Sequence, residues 1–284
     1  MNNIKIQVNE FFKGNETIAK YMNEINKYYY FSYKNMKIHV LYRENIDNIN
    51  IPFIRKVIER VYIISRYILK TINIYLILSP FEKKFNDNYM KPLDIINCNS
   101  AFTYLSRADI YILRMEEFPK VLMHELIHHL NFIHSTFKTE NINRLKSHFK
   151  INNIYLDPNE AIVELWATII HLYKISIEYN KDFYKLFLIE LRYSLFKSYQ
   201  LLEIQKKLPN GIWKDETNVY CYIIFKTIFM YNLNDFQKIY TYPYNDTILT
   251  DFLIKYSSSL KTISKNPYKC RKTNSLCFMV NSDI

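Results

Sequence analysis

Phe118-Pro-Lys-Val-Leu-Met-His-Glu-Leu-Ile-His-His-Leu130 is the stretch on which the reading of this chain turns. Pro119 fits the first turn of a helix, where its missing N–H leaves nothing unpaired, and Glu116 and Glu117 just ahead suit the positive end of the helix dipole. Val121, Leu122, Ile127 and Leu130 form the apolar remainder of a buried helix. Polar groups there are costly unless they are used. His124 and His128, four apart, stand one turn above each other, so both imidazoles can reach a single ion, and Glu125 points beside them at the water that such an ion polarises. This is the HExxH signature. His129 is turned about 100° around the helix from His128 and falls off that face.

Upstream, residues 37–43 read as a strand, 52–69 as a helix with apolar residues at helical spacing, and 72–78 as a second strand. Residues 99–104 and 109–113 suit a hairpin, so the sheet ends just before the HExxH helix. Downstream the pattern is helical almost to the end, with helices expected over 158–179, 183–207 and 217–231 and a polar insert over 138–153. The expected fold class is α+β: a small mixed β-sheet lobe carrying the HExxH helix, then a mostly helical lobe. The division falls at 1–135 and 136–284, the two parts forming one catalytic unit.

A catalytic zinc takes three protein ligands and keeps one position open, so the histidine pair needs a third ligand. The Gly and His that metzincins place soon after HExxH are absent, which directs the search to an acid on a second helix. Glu160 and Glu164 are four apart on the apolar helix that follows Asp157, and either can serve as the ligand while the other supports it. Asp157-Pro-Asn-Glu160 also has the form of a capping box, a structural use for Glu160. Tyr220 and Tyr222 are candidate donors to the developing oxyanion, with a core role as the alternative for each.

These features resemble the gluzincin clan. Asn159-Glu160-Ala161-Ile162-Val163-Glu164 is similar to the glutamate helix of thermolysin-like enzymes, and that alignment makes Glu160 the ligand. Glu164-Leu-Trp-Ala167 is similar to lethal-factor-like toxins and aminopeptidases, where a small residue three after the ligand lets two helices pack closely; that alignment, preferred because Glu160 has the capping-box use, makes Glu164 the ligand and Glu160 its support. Asn99-Ser100-Ala101, Arg114-Met-Glu-Glu117, the HExxH helix and Glu164-Leu-Trp-Ala167 occur in the order seen in uncharacterised metallopeptidase-like proteins of large DNA viruses. The resemblance implies a zincin-like fold, Zn2+ as cofactor, Glu125 as general base, a protein or peptide substrate, and an edge strand near 99–104 that pairs with it. A catalytically inactive zincin-fold protein that binds a host or acidic partner is the alternative.

Composition limits the other classes. Of 284 residues 49% are hydrophobic, enough to fill a core. The net charge of +11 favours acidic partners, but Lys and Arg are scattered among Asp and Glu, and no basic run points to nucleic acid. The first residues lack a basic segment followed by an apolar one, so no secretory signal is expected. The most apolar stretch, 51–78, is interrupted by Arg55, Lys56, Glu59, Arg60, Arg66 and Lys70, which a membrane span does not tolerate. A soluble, cytoplasmic protein is expected, in the host cytoplasm if viral. Cys98, Cys221, Cys270 and Cys277 are expected to be reduced, with a Cys270–Cys277 bridge as the alternative.

Overall fold

The computed structural model describes residues 2–130, 136–240, 244–260 and 275–279. In chain order the elements are α1 (Asn2–Phe11), α2 (Glu16–Glu24), β1 (Lys27–Tyr33), β2 (Met36–Tyr42), α3 (Ile51–Ser65), β3 (Ile72–Ser79), α4 (Ile95–Cys98), β4 (Ala101–Tyr104), β5 (Asp109–Arg114) and α5 (Phe118–His129). There follow α6 (Thr139–Phe149), β6 (Ile151–Asn152), α7 (Asn159–Glu178), α8 (Phe183–Lys207), β7 (Trp213–Lys214), a π-helical turn (Cys221–Phe225), α9 (Lys226–Tyr231), α10 (Leu233–Ile239) and α11 (Asp246–Tyr256). The chain is α+β, and it forms two compact units: Met1–Lys83 with Asn99–Leu130, and Lys84–Cys98 with Asn131–Ser282.

The first unit is built on a five-stranded mixed sheet in the order β1-β2-β3-β5-β4. β2, β3 and β5 run parallel, while β1 and β4 are antiparallel additions at the two edges. Alternation along the strands separates two faces. Ile38, Val40, Ile74, Leu76, Ile110 and Ile112 are completely buried. The alternate positions carry a row of rings, with His39, Tyr75, Tyr111, Phe102 and Phe11 stacked in sequence at centroid spacings of 4.7, 4.6, 4.7 and 4.1 Å. The ring faces are spent on one another. α3 begins where the Asn50 side chain accepts from the Phe53 N–H at 2.9 Å and ends at Ser65, short of the expected residue 69. There the Asn35 amide donates to the carbonyls of Ser65 and Ile68 at 2.8 and 2.9 Å, satisfying groups that the helix leaves open.

In the second unit α8 spans the residues expected of it. The expected helix over 217–231 is present but passes through the π-helical turn before α9. Residues 139–149, expected within a polar insert, form α6. Its Asn141 and the Lys138 N–H both donate to Asp246 Oδ2 at 2.8 Å, at the start of α11. Residues 84–98 belong to this unit rather than to the sheet lobe: the Glu216 N–H donates to Leu93 O at 2.8 Å and Cys98 Sγ lies 3.2 Å from Thr217 Oγ1. No described helix is long and apolar enough to cross a membrane. Cys98 and Cys221 are buried and Cys277 is half-buried; Cys270, and with it the alternative Cys270–Cys277 bridge, lies outside the described residues.

Candidate metal centre

The amino end of α5 is set by two long-range anchors. The backbone N–H of Met115 donates to Ser79 O at 3.0 Å, tying the end of β5 to the end of β3. Glu117 then turns the chain through a left-handed conformation, φ 58°, so that Pro119 enters the first helical turn. Glu116 and Glu117, expected to serve the helix dipole, instead hold Lys83: its N–H donates to Glu116 Oε2 at 2.6 Å and its ammonium pairs with the Glu117 carboxylate. Lys83 and Glu117 are both buried.

From that start the helical period fixes the rest. Phe118, Leu122, Met123 and Leu126 are completely buried, and the Phe118 ring meets Phe53 of α3 edge-on at 5.8 Å. His124 and Glu125 are buried while His128 and His129 are half-buried. The Nε2 atoms of His124 and His128 lie 3.1 Å apart. Two nitrogens at that separation can both lie at the ordinary zinc–nitrogen distance of about 2.0–2.1 Å from one point, at an angle near 100°. His129 is directed elsewhere, its Nε2 lying 2.6 Å from Thr103 Oγ1 on β4. Burial first, then His128 and Lys70, push its pKa down to about 4.

α7 carries the two acids. Asp157 Oδ1 accepts from the Asn159 N–H at 3.0 Å and from the Asn159 side chain at 2.7 Å, so Asp157 caps the helix start. The reciprocal arm expected of Glu160 is replaced: Glu160 Oε2 accepts from the Tyr222 hydroxyl at 3.0 Å. Glu164, one turn on, is 2% exposed, and Ala167 beyond it is completely buried.

Among the described residues one group could hold a metal ion: His124, His128 and Glu160, each offering one ligand atom. Glu164 is not in that group. Two imidazoles and one carboxylate are the donor set of one class of catalytic zinc sites, so the residues fit the ion that the HExxH pattern implies.

The two candidate tyrosines separate. Tyr220 is 1% exposed, enclosed by Phe149, Trp213 and Phe225, with its hydroxyl donating to Gln205 Oε1 at 3.3 Å. Its phenol is committed to the core, and burial pushes its pKa above the usual range. Tyr222 carries its hydroxyl to Glu160 instead. The role of Tyr222 as a partner of the acid was not read from the sequence, and no local pattern signals it, because the two residues are 62 positions apart.

No protein-family model matches the sequence, and neither a curated protein nor a solved structure matches it.

Proposed function

We propose that this chain is a zinc-dependent peptidase in which His124, His128 and Glu160 hold the ion and Glu125 is the general base. The observation that carries the reading is the grouping of His124, His128 and Glu160, together with Glu125 on the same helix as the two histidines. Bound zinc supplies a Lewis acid that brings the pKa of a water molecule toward neutrality. Glu125 takes the proton of the attacking water and passes it to the departing amine, so one carboxylate serves as base and then as acid.

The reading makes Glu160 the ligand of the two acids and gives Glu164, buried one turn further along α7, a supporting place. β4, at one end of the five-stranded sheet, is the strand to which an extended substrate would add by backbone pairing, a mode that gives affinity with little demand on side chains. The net charge of +11 favours acidic peptides among the possible substrates.

The test is hydrolysis of a mixed peptide library by the zinc-loaded protein, read by mass spectrometry, beside Glu125→Gln. Cleavage by the wild-type protein, lost by a factor of about 10² to 10⁴ in the variant while zinc content stays the same, is the expected result. Equal cleavage by both proteins would remove Glu125 from the mechanism. Zinc binding without cleavage of any peptide would reassign the centre to a binding protein.

A further inference from the structure

Ser275 to Met279 lies on the second unit as a non-helical segment, bridged in antiparallel fashion to Lys84 at Ser275. Side chains of the helical elements hold its backbone by the carbonyls. Lys197 Nζ donates to Ser275 O at 2.6 Å, the Tyr193 hydroxyl to Cys277 O at 3.1 Å, and Lys226 Nζ to Phe278 O at 2.8 Å. Lys197 and Lys226 are 2% and 1% exposed. Burying an ammonium is expensive, so two of them set against one short segment define a fixed seat. Leu276, Phe278 and Met279 are buried as well.

The seat leads to the candidate metal ligand. The Phe278 ring packs against that of Tyr222 at 5.2 Å, and the Tyr222 hydroxyl donates to Glu160 Oε2 at 3.0 Å. A carboxylate with one oxygen held in this way keeps the other directed, and its rotamer is chosen before an ion arrives. Tyr222 itself sits in the π-helical turn, Cys221–Phe225, where the backbone departs from the regular helical ladder and a neighbouring ring can set the direction of the phenol.

We infer that the Ser275–Met279 segment is a strap that positions Tyr222, and through it Glu160, for metal binding. Tyr222 and Phe278 are thus positioning residues. The inference rests on the reading of Glu160 as a ligand, and it makes metal affinity depend on a segment more than a hundred residues further along the chain.

The experiment measures zinc affinity of the full-length protein by competition with a chromophoric chelator, for wild type, Tyr222→Phe, Phe278→Ala, the double variant and Leu253→Ala. Removing the hydroxyl lowers affinity by about 10- to 100-fold, the effect of losing a support behind a metal ligand, and Phe278→Ala lowers it in the same direction. In the double variant the loss equals that of Tyr222→Phe alone, because without the hydroxyl the strap has nothing left to direct. Leu253→Ala, which empties a completely buried position on α11 outside the strap, lowers the melting temperature and leaves zinc affinity unchanged. Unchanged affinity in Phe278→Ala, additive losses in the double variant, or an equal loss in Leu253→Ala would each overturn the strap while leaving the metal centre standing. Failure of the wild-type protein to bind zinc would remove both.

Discussion

Replacing Thr103 by Val deletes a single hydroxyl that ties the edge strand β4 to the carboxyl end of α5. That hydroxyl donates its only proton to Asp109 O at 3.0 Å. The 2.6 Å contact with His129 Nε2 must therefore be a bond in which the ring donates, which fixes the neutral imidazole as the Nε2–H tautomer. With its pKa pushed down to about 4, the ring is neutral at pH 7. Two hydrogen bonds are lost in Thr103→Val, each contributing about 0.5–1.5 kcal/mol. Both side chains are half-buried, so water recovers part of this and the net cost is about 1–2 kcal/mol. For a chain of this size that lowers the melting temperature by roughly 2–6 °C in scanning calorimetry of the metal-free protein. Thr103→Ser, which keeps the hydroxyl, stays close to wild type. The pH sign follows from the same ring. Its folded pKa lies below the usual 6.5, so the folded state binds fewer protons than the unfolded state between about 4 and 6.5, and stability rises with pH through that window and is lost as pH falls through it. Partial exposure of the ring holds that contribution to about 1–2 kcal/mol. A Thr103→Val protein as stable as wild type, or a Thr103→Ser protein as unstable as Thr103→Val, would refute the reasoning.

Lys83→Met leaves the Glu117 carboxylate buried without its ammonium partner and costs about 3–5 kcal/mol in urea unfolding, and most of that returns in Lys83→Met/Glu117→Leu, where neither charge remains. Asp246→Ala removes the acceptor shared by the Lys138 N–H and the Asn141 amide and costs about 1–3 kcal/mol at pH 7. Burial pulls the Asp246 carboxyl up, but the Lys138 N–H, the Asn141 amide, the Lys138 charge and the Thr247 N–H together hold the pKa below the ordinary 3.8. Its stabilisation is therefore present above that value and lost as pH falls through the folded pKa, so acid titration of both proteins by circular dichroism should show the gap between them closing there. His129→Ala leaves zinc content unchanged by mass spectrometry, since that ring is spent on Thr103.

Where one element contained all the information, the sequence was readable. The spacing of His124, Glu125 and His128 is set by the helical period alone, and it placed His129 off the shared face before any partner for it was known. α8 followed from its own pattern and begins with Asp182 Oδ1 accepting from the Lys185 N–H at 2.7 Å. β1, Lys-Tyr-Tyr-Tyr-Phe-Ser-Tyr, escaped notice because aromatic residues on both faces of an edge strand hide the period of two. α6 escaped because one of its buried positions is Asn141, satisfied by a residue 105 positions away. The acids of the centre show the same limit. Glu160 and Glu164 stand one turn apart on α7 and are equivalent by pattern; what distinguishes them is that Glu160 accepts from the Tyr222 hydroxyl and belongs to the group that could hold a metal. Tyr220 and Tyr222, two residues apart, point to nearly opposite sides of a helix, and only the packing of the second unit decides which of them turns inward.

The most direct test of the account is zinc stoichiometry of the purified, metal-repleted chain by mass spectrometry, for wild type beside His124→Ala, His128→Ala, Glu160→Ala and Glu164→Ala. Close to one zinc per chain is expected, lost with either histidine and with Glu160 and retained with Glu164. Retention in Glu160→Ala with loss in Glu164→Ala would move the ligand one turn along α7, and no zinc in the wild-type protein would contradict the metal centre altogether.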